Sequence, residues 1–545
     1  MTALAAALTV SPAIAAKRPI IANPERTYVA ARAAEFSGDH GRSATLLAQL
    51  ADASADNKSL GRRAASQAIS AGAMSLALRL GRAMPADSLT TDVRLLLAAD
   101  DLLRKRPDRA QAYLSAKGED GDLSFIAPYV QAWSSADRRN LADALTILEQ
   151  IPVNSLLGSY ANEQRAYVLL KFKMTQDAEP FARRAIAQAA RRELQVRLAL
   201  ADGFLAAGDK ARSLAMLDSP SAEATAARAR IAAGRSLGMA VDSGAKAYAA
   251  MLLGLALDLN RVNSNSLPIR LVQVARYASP GESSTAIVLG AMLQASGRTD
   301  EALAAFRSVR PGDVLAAQAR DAEARALTQE KRYDAALALA RAAVAAPGAG
   351  SVDHSRLGDV YASMERHADA AGAYGRALDL TGEQAGDRWT LLLLKASSLE
   401  AANRWPEARR DLEAALKLAP DQPLILNFLG YAKLERGEDL DNAEAMIRKA
   451  SALAPDDASI TDSLGWAQYK RGRIAEAIET LQRAAVADPS QAEIREHLGD
   501  ALFDAGRKFE ARFAWEAALI TADAETAVRV KSKLESGLTK ANKAP

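Results

Sequence analysis

The chain has no cysteine, four histidines, and only 5% phenylalanine, tyrosine and tryptophan. Without cysteine there is no disulfide, no catalytic thiolate and no cysteine to carry a lipid, so no lipid anchor is expected. The histidines, His40, His354, His367 and His497, are scattered and never reach metal-ligand spacing. Each is read as an ordinary surface or turn residue. Charge of one sign is missing too: 69 Lys and Arg against 66 Asp and Glu leave a net charge of +3. That balance speaks against a nucleic-acid partner held through phosphate contacts. No P-loop, dinucleotide fingerprint or nucleophile elbow occurs. Gly203 and Gly208 have no strand before them, and acidic pairs such as Asp456-Asp457 suit helix N-termini. No catalytic residue, cofactor site or metal site is expected, and the chain is read as non-enzymatic.

Hydrophobic residues make up 49% of the sequence, much of it alanine, which fits close helix packing better than a sheet-rich core. The dipeptides Leu429-Gly430, Leu464-Gly465 and Leu498-Gly499 recur at intervals of 35 and 34 residues. An alanine opens the second half of each unit at Ala302, Ala336, Ala370, Ala408, Ala443, Ala477 and Ala511. Twelve or thirteen residues earlier stands a small residue: Gly290, Ala324, Gly358, Ala396, Gly430, Gly465 or Gly499. Four residues after the alanine comes Phe306, Ala340, Tyr374, Leu412, Ile447, Leu481 or Trp515. Seven units in phase define a stacked array of helical hairpins. Glycine inside a helix costs about 1 kcal/mol against alanine, so a glycine recurring at one phase must be offset by close helix packing. One hairpin cannot bury its apolar face alone, so neighbours stack.

This block resembles the tetratricopeptide repeat family, with its L-G, alanine, aromatic and inter-repeat proline (Pro420, Pro455, Pro489). Units with Glu323 or Lys395 before the small residue depart from the pattern, and the first-helix tryptophan slot holds Thr461 and Arg495. The resemblance implies an all-α fold, a right-handed α-solenoid of helix–turn–helix hairpins. It also implies a concave face lined by first helices that holds a protein partner. Carried onto this sequence, that face contains Asn427, Tyr431, Asp462, Trp466, Tyr469, Lys470, Glu496 and Asp500. For Trp466 and Tyr469, packing between repeats is an equal alternative. Asp462 and Asp500 stand where the family's chaperone-binding clamp needs Asn or a basic group, so a chaperone tail is not the expected ligand. The C-terminal block also looks like Gram-negative envelope adaptors of this family, including those that present substrates to a carboxyl-terminal processing protease. That likeness implies an envelope protease or cell-wall assembly protein as partner.

Residues 1–16, MTALAAALTVSPAIAA, are apolar and end in Ala13-Ile14-Ala15, the pattern of a signal-peptide cleavage site. They are too short to span a bilayer, and no transmembrane span is expected. No basic residue precedes Lys17, so the alternatives are a start further upstream or an alanine-rich helix. The expected location is periplasmic, the alternative a cytoplasmic regulatory or assembly module. Residues 17–282 keep the hairpin rhythm without clean L-G landmarks and read as degenerate repeats, the alternative being a separate helical domain, with a bend or boundary placed at Ala240–Gly281. Seven repeats fill 283–524, starting near 283, 317, 351, 389, 423, 458 and 492, with a loop expansion at Thr381–Asp387. Residues 525–545 give an amphipathic capping helix presenting Val528, Val530 and Leu534, then a frayed tail from Lys540. An appended catalytic domain would need about 100 non-repeat residues, and the irregular stretch is too short for one.

Overall fold

The computed structural model describes residues 21–54, 57–116, 121–152, 154–155, 157–260, 266–382, 386–539 and 541–544. Residues 1–16, read from the sequence as a signal peptide, lie outside these residues, as do 261–265 and residues 383–385 of the loop expansion. Thirty α-helices occur among the described residues, with no strand. None of these helices is long and apolar enough to cross a membrane. The chain divides into two compact units, Met1–Ala326 and Leu327–Pro545.

The first helices of the repeating hairpins begin at Ser283, Ala316, Ser351, Arg388, Pro423, Ala458 and Ala492, and the second at Thr299, Tyr333, His367, Trp405, Leu440, Ile474 and Lys508. All seven second-helix alanines, from Ala302 to Ala511, are 0% exposed. The first-helix glycines let the two helices of a hairpin meet. A Cβ on Gly290 would stand 2.3 Å from Phe306, on Gly358 2.6 Å from Tyr374, on Gly465 2.6 Å from Leu481, and on Gly499 2.4 Å from Trp515. On Gly430 it would meet the Ala443 carbonyl oxygen at 2.8 Å. The helix penalty of glycine is thus offset by the large side chain that fills its place. The turn between the two helices requires a left-handed residue. Gly472 and Gly506 supply it at φ 76° and 82°, whereas Glu365 and Asn403 adopt it at 58° and 60°, with a Cβ that makes the conformation costlier. Asp457 caps its helix by accepting the Ile460 amide at 3.0 Å, as acidic residues at these turns should.

In the N-terminal unit, helical hairpins follow one another from Pro24 to Met216. The stretch read as a bend or boundary, 240–281, is a hairpin of two helices, Gly244–Leu259 and Ser266–Ala278, laid across the first helices of the preceding hairpins. The Tyr248 hydroxyl donates to the Leu95 carbonyl at 3.2 Å, Tyr277 to Asp100 at 2.7 Å, and Tyr160 donates to Asp258 at 2.7 Å. Arg270 pairs with the buried Asp92 at 2.8 Å. Gly254 permits the approach, because a Cβ there would lie 2.7 Å from Tyr160 and 2.8 Å from Arg192. The first of these helices is apolar almost all round, and such a helix belongs inside a protein rather than at a boundary. Beside it lies a cavity of about 40 Å³ bordered by Tyr167, Arg192, Lys246 and Glu282, a volume for water rather than a metabolite.

Candidate functional site

The site is built on the first helices of the last three repeats, Pro423–Glu435, Ala458–Lys470 and Ala492–Asp504, and on the helix Ala524–Ser536 that follows them. Residues five and nine places into a first helix face the neighbouring repeat. In the last repeat these are Glu496 and Asp500, and it is not another repeat hairpin that covers them. The final helix does so instead, bringing two cations, Arg529 and Lys533, one turn apart.

Arg529 holds Glu496 with two nitrogens, each at 2.7 Å. Lys533 donates to Glu496 at 2.6 Å and to both oxygens of Asp500 at 2.7 and 2.8 Å. Asp500 also accepts the Trp515 indole N–H at 3.0 Å and the backbone N–H of Ala544 at 3.0 Å. Glu496, Asp500 and Lys533 are each 0% exposed. Two carboxylates and two cations compensate one another in this buried network. Burial raises the Asp500 carboxyl pKa, and Lys533 only partly opposes it. Burial would raise Glu496 too, but Arg529 and Lys533 prevail and its pKa is lowered.

One repeat back, Trp466 is fully buried. Its ring stacks on His497, with centroids 4.1 Å apart, and on Tyr469 at 4.8 Å. Its indole N–H donates to Glu435 at 3.1 Å, and the exposed Lys470 reaches the same carboxylate at 3.2 Å. Asp462 bonds His497 Nδ1 at 2.9 Å. His497 is therefore not the surface or turn residue its sequence suggests: it is fully buried, sandwiched between repeats. Its Nε2 has no hydrogen-bond partner among the described residues. Burial pushes the imidazole pKa down, but the Asp462 carboxylate outweighs it and the net shift is upward.

The eight residues read from the sequence fall into one connected region. Asp462, Trp466, Tyr469, Glu496 and Asp500 are buried, Asn427 and Tyr431 half-buried, and Lys470 exposed. Asn427 reaches across to Ser463 at 3.2 Å, and Tyr431 packs against the cluster of Trp466, Tyr469 and Trp515. Burial raises the Tyr431 and Tyr469 hydroxyl pKa values, and the carboxylates beside them add to it. The acidic Asp504 and the residues of the final helix and tail were not among the eight. Arg529 and Lys533, four apart and opposite an acidic first helix, were the available signal. Val528, assigned to the apolar face of the capping helix, is 71% exposed, whereas Val530 is fully buried.

The tail does not fray in its described part. Gly537 turns at φ 76° against Phe503. The Thr539 amide donates to Asn542 at 2.7 Å, and Asn542 donates back to the Gly537 carbonyl at 2.9 Å. Lys543 then lies 4.6 Å above the Tyr469 ring and 3.3 Å from Asp504, which also accepts the Tyr469 hydroxyl at 2.6 Å. Ala544 is 4% exposed and joins the Trp466, Tyr469 and Trp515 cluster. The first-helix face of the last two repeats thus holds a turn of polypeptide through one backbone N–H, one lysine and one methyl group.

Comparison with known proteins gives a match to the tetratricopeptide repeat family over residues 393–458 and 463–526. No curated protein sequence matches the chain. Among solved structures, the chain is similar to one in the APC/C hetero-tetramer Cut9–Hcn1, at 14% identity over 95% of this chain and 97% of that one, TM-score 0.39. It is similar to yeast Tom70 at 10% identity over 94% and 95%, TM-score 0.39. A tetratricopeptide repeat protein from Parabacteroides merdae matches at 14% identity over 46% of this chain and 97% of that one, TM-score 0.38.

Proposed function

We propose that this chain is a protein-interaction scaffold built on the tetratricopeptide repeats matched over residues 393–458 and 463–526, and that it works without catalysis, by holding a segment of a partner protein on the concave face of its C-terminal repeats. The observation that supports this reading is the seating of residues 543–544 against Tyr469, Asp500 and Asp504. A face that accepts polypeptide through aromatic rings and carboxylates has the chemistry of an interaction hot spot. The first helices of the two preceding repeats carry exposed Leu424 and Ser397, where a partner longer than the tail would continue.

The proposed setting is the bacterial cell envelope, after export. Its support is the apolar run ending in Ala13-Ile14-Ala15. The alternative setting is cytoplasmic, as a regulatory or assembly module. N-terminal sequencing of the protein purified from its own cells separates the two: a mature chain starting at Ala16 or Lys17 supports export, and an intact leader removes it.

The partner surface is tested by photo-crosslinking in those cells. A crosslinking amino acid replaces Leu424 or Ser397 on first helices, and Val486 on a second helix as control. The proposal predicts one partner polypeptide trapped from the first two positions and not from Val486. Equal trapping from all three, or trapping from Val486 alone, overturns it.

A further inference from the structure

We infer that residues 537–539 and 541–544 are an internal ligand of the partner site: a partner enters the last two repeats by displacing them, and it does so with a segment in which a lysine is followed by a small residue. This rests on the reading that the first-helix face is the partner surface, and adds what the partner must look like.

The attachment of this segment has two parts of unequal strength. The helix Ala524–Ser536 is anchored through buried charges, Lys533 on Glu496 and Asp500 and Arg529 on Glu496. Removing one member of a buried set strands the others, so the helix stays. The tip beyond Gly537 is held differently. Its ion pair, Lys543 with Asp504, has side chains 40% and 38% exposed, and is weaker than the buried pairs that anchor the helix. Its other bonds are internal to the loop, among Gly537, Thr539 and Asn542, apart from Asn542 on the Ser532 hydroxyl at 3.3 Å and the Ala544 amide on Asp500. The tip can therefore leave as a unit while the helix remains docked, with Gly537 as its hinge.

What the tip touches defines what replaces it. Tyr469 and Asp504 together recognise an ammonium group, one through the ring face and the other through charge. Asp500 keeps an acceptor for a backbone N–H one residue later, and the buried space taken by the Ala544 methyl admits only a small side chain among Trp466, Tyr469 and Trp515. A glutamate in place of the lysine would face Asp504 and is excluded by like charge. Because the tip is tethered, it competes at a high effective concentration, and a partner sees its affinity reduced by the fraction of time the site is closed.

The test uses a fluorescent peptide of sequence GLTKANKAP, residues 537–545, titrated with three proteins: the full chain, the full chain carrying Lys543→Glu, and the chain lacking 537–545. The two released proteins are expected to bind the peptide about ten-fold or more tightly than the full wild-type chain. A peptide with Lys543→Glu is expected to bind none of them. Circular dichroism confirms folding, and if the deletion unfolds the last repeat, the Lys543→Glu protein decides alone. Equal binding by all three proteins, or no binding by a folded released protein, overturns the inference. In that case crosslinking at Leu424 and Ser397 still reports on the partner face independently, so the two failures are distinguishable.

Discussion

The Nζ of Lys533 stands 2.6 Å from Glu496 Oε1, with both side chains fully buried. This pair ties the final helix to the last repeat. Lys533→Met leaves Glu496 with Arg529 alone and Asp500 without a cation. Breaking a buried pair on one side costs about 3–5 kcal/mol. Urea unfolding followed by tryptophan fluorescence is expected to show this loss in the C-terminal unit, and a change under about 1 kcal/mol, the range of an exposed pair, contradicts the burial described here.

His497 gives a pH dependence with a definite sign. Asp462 bonds it directly, and Glu493 and Asp500 also face it and favour its charged form. Its folded-state pKa lies above the ordinary 6.5. Its contribution to stability is therefore complete below about 6.5 and lost as pH rises through the folded value. The melting temperature of the wild-type chain is expected to fall, relative to His497→Gln, as pH is raised from about 6 to about 9. A difference that stays constant, or grows toward high pH, contradicts a protonated His497–Asp462 pair.

Gly499→Leu places side-chain atoms where Trp515 already stands, since even a Cβ would lie 2.4 Å from its ring. Overpacking of this kind costs about 1–3 kcal/mol. Repeats couple mainly to neighbours, so hydrogen exchange is expected to speed up first in 458–536 and to remain unchanged in the N-terminal unit.

In the N-terminal unit, Gly254→Val is the corresponding change. It drives two methyls into Tyr160 and Arg192. The Gly244–Leu259 helix is expected to lose amide protection before the outer hairpins do, and uniform loss across the unit would show that the helix is not seated as a separate element.

Much of the fold was legible because alanine and glycine, placed at one phase every 34 or so residues, have a single use: two helices in close contact. The inward hairpin at 244–278 was not legible as such. Its apolar helix was visible in the sequence, but which face it covers depends on tyrosines and aspartates, Tyr248, Tyr277, Asp92 and Asp258, that are up to 178 residues from their partners. The candidate site was legible as a set of residues on one face. Their burial was not, because it comes from His497 in the next repeat and from Arg529, Lys533 and Ala544 beyond the last one. That burial changes how the site must be tested. Lysine at Asp462 or Asp500 strands His497 or Lys533, and Trp466→Ala empties a fully buried position at about 3–5 kcal/mol. These variants report folding before they report binding, whereas Leu424, Ser397 and Lys543 report binding.

The most direct measurement is hydrogen exchange of residues 537–545 in the full wild-type chain, resolved to the Ala544 amide. That amide donates to Asp500 and its residue is 4% exposed. The account predicts slow exchange at Ala544, returning to the rate of free peptide in Lys543→Glu while the Ala524–Ser536 helix keeps its protection. Exchange at the free-peptide rate in the wild-type chain would contradict it.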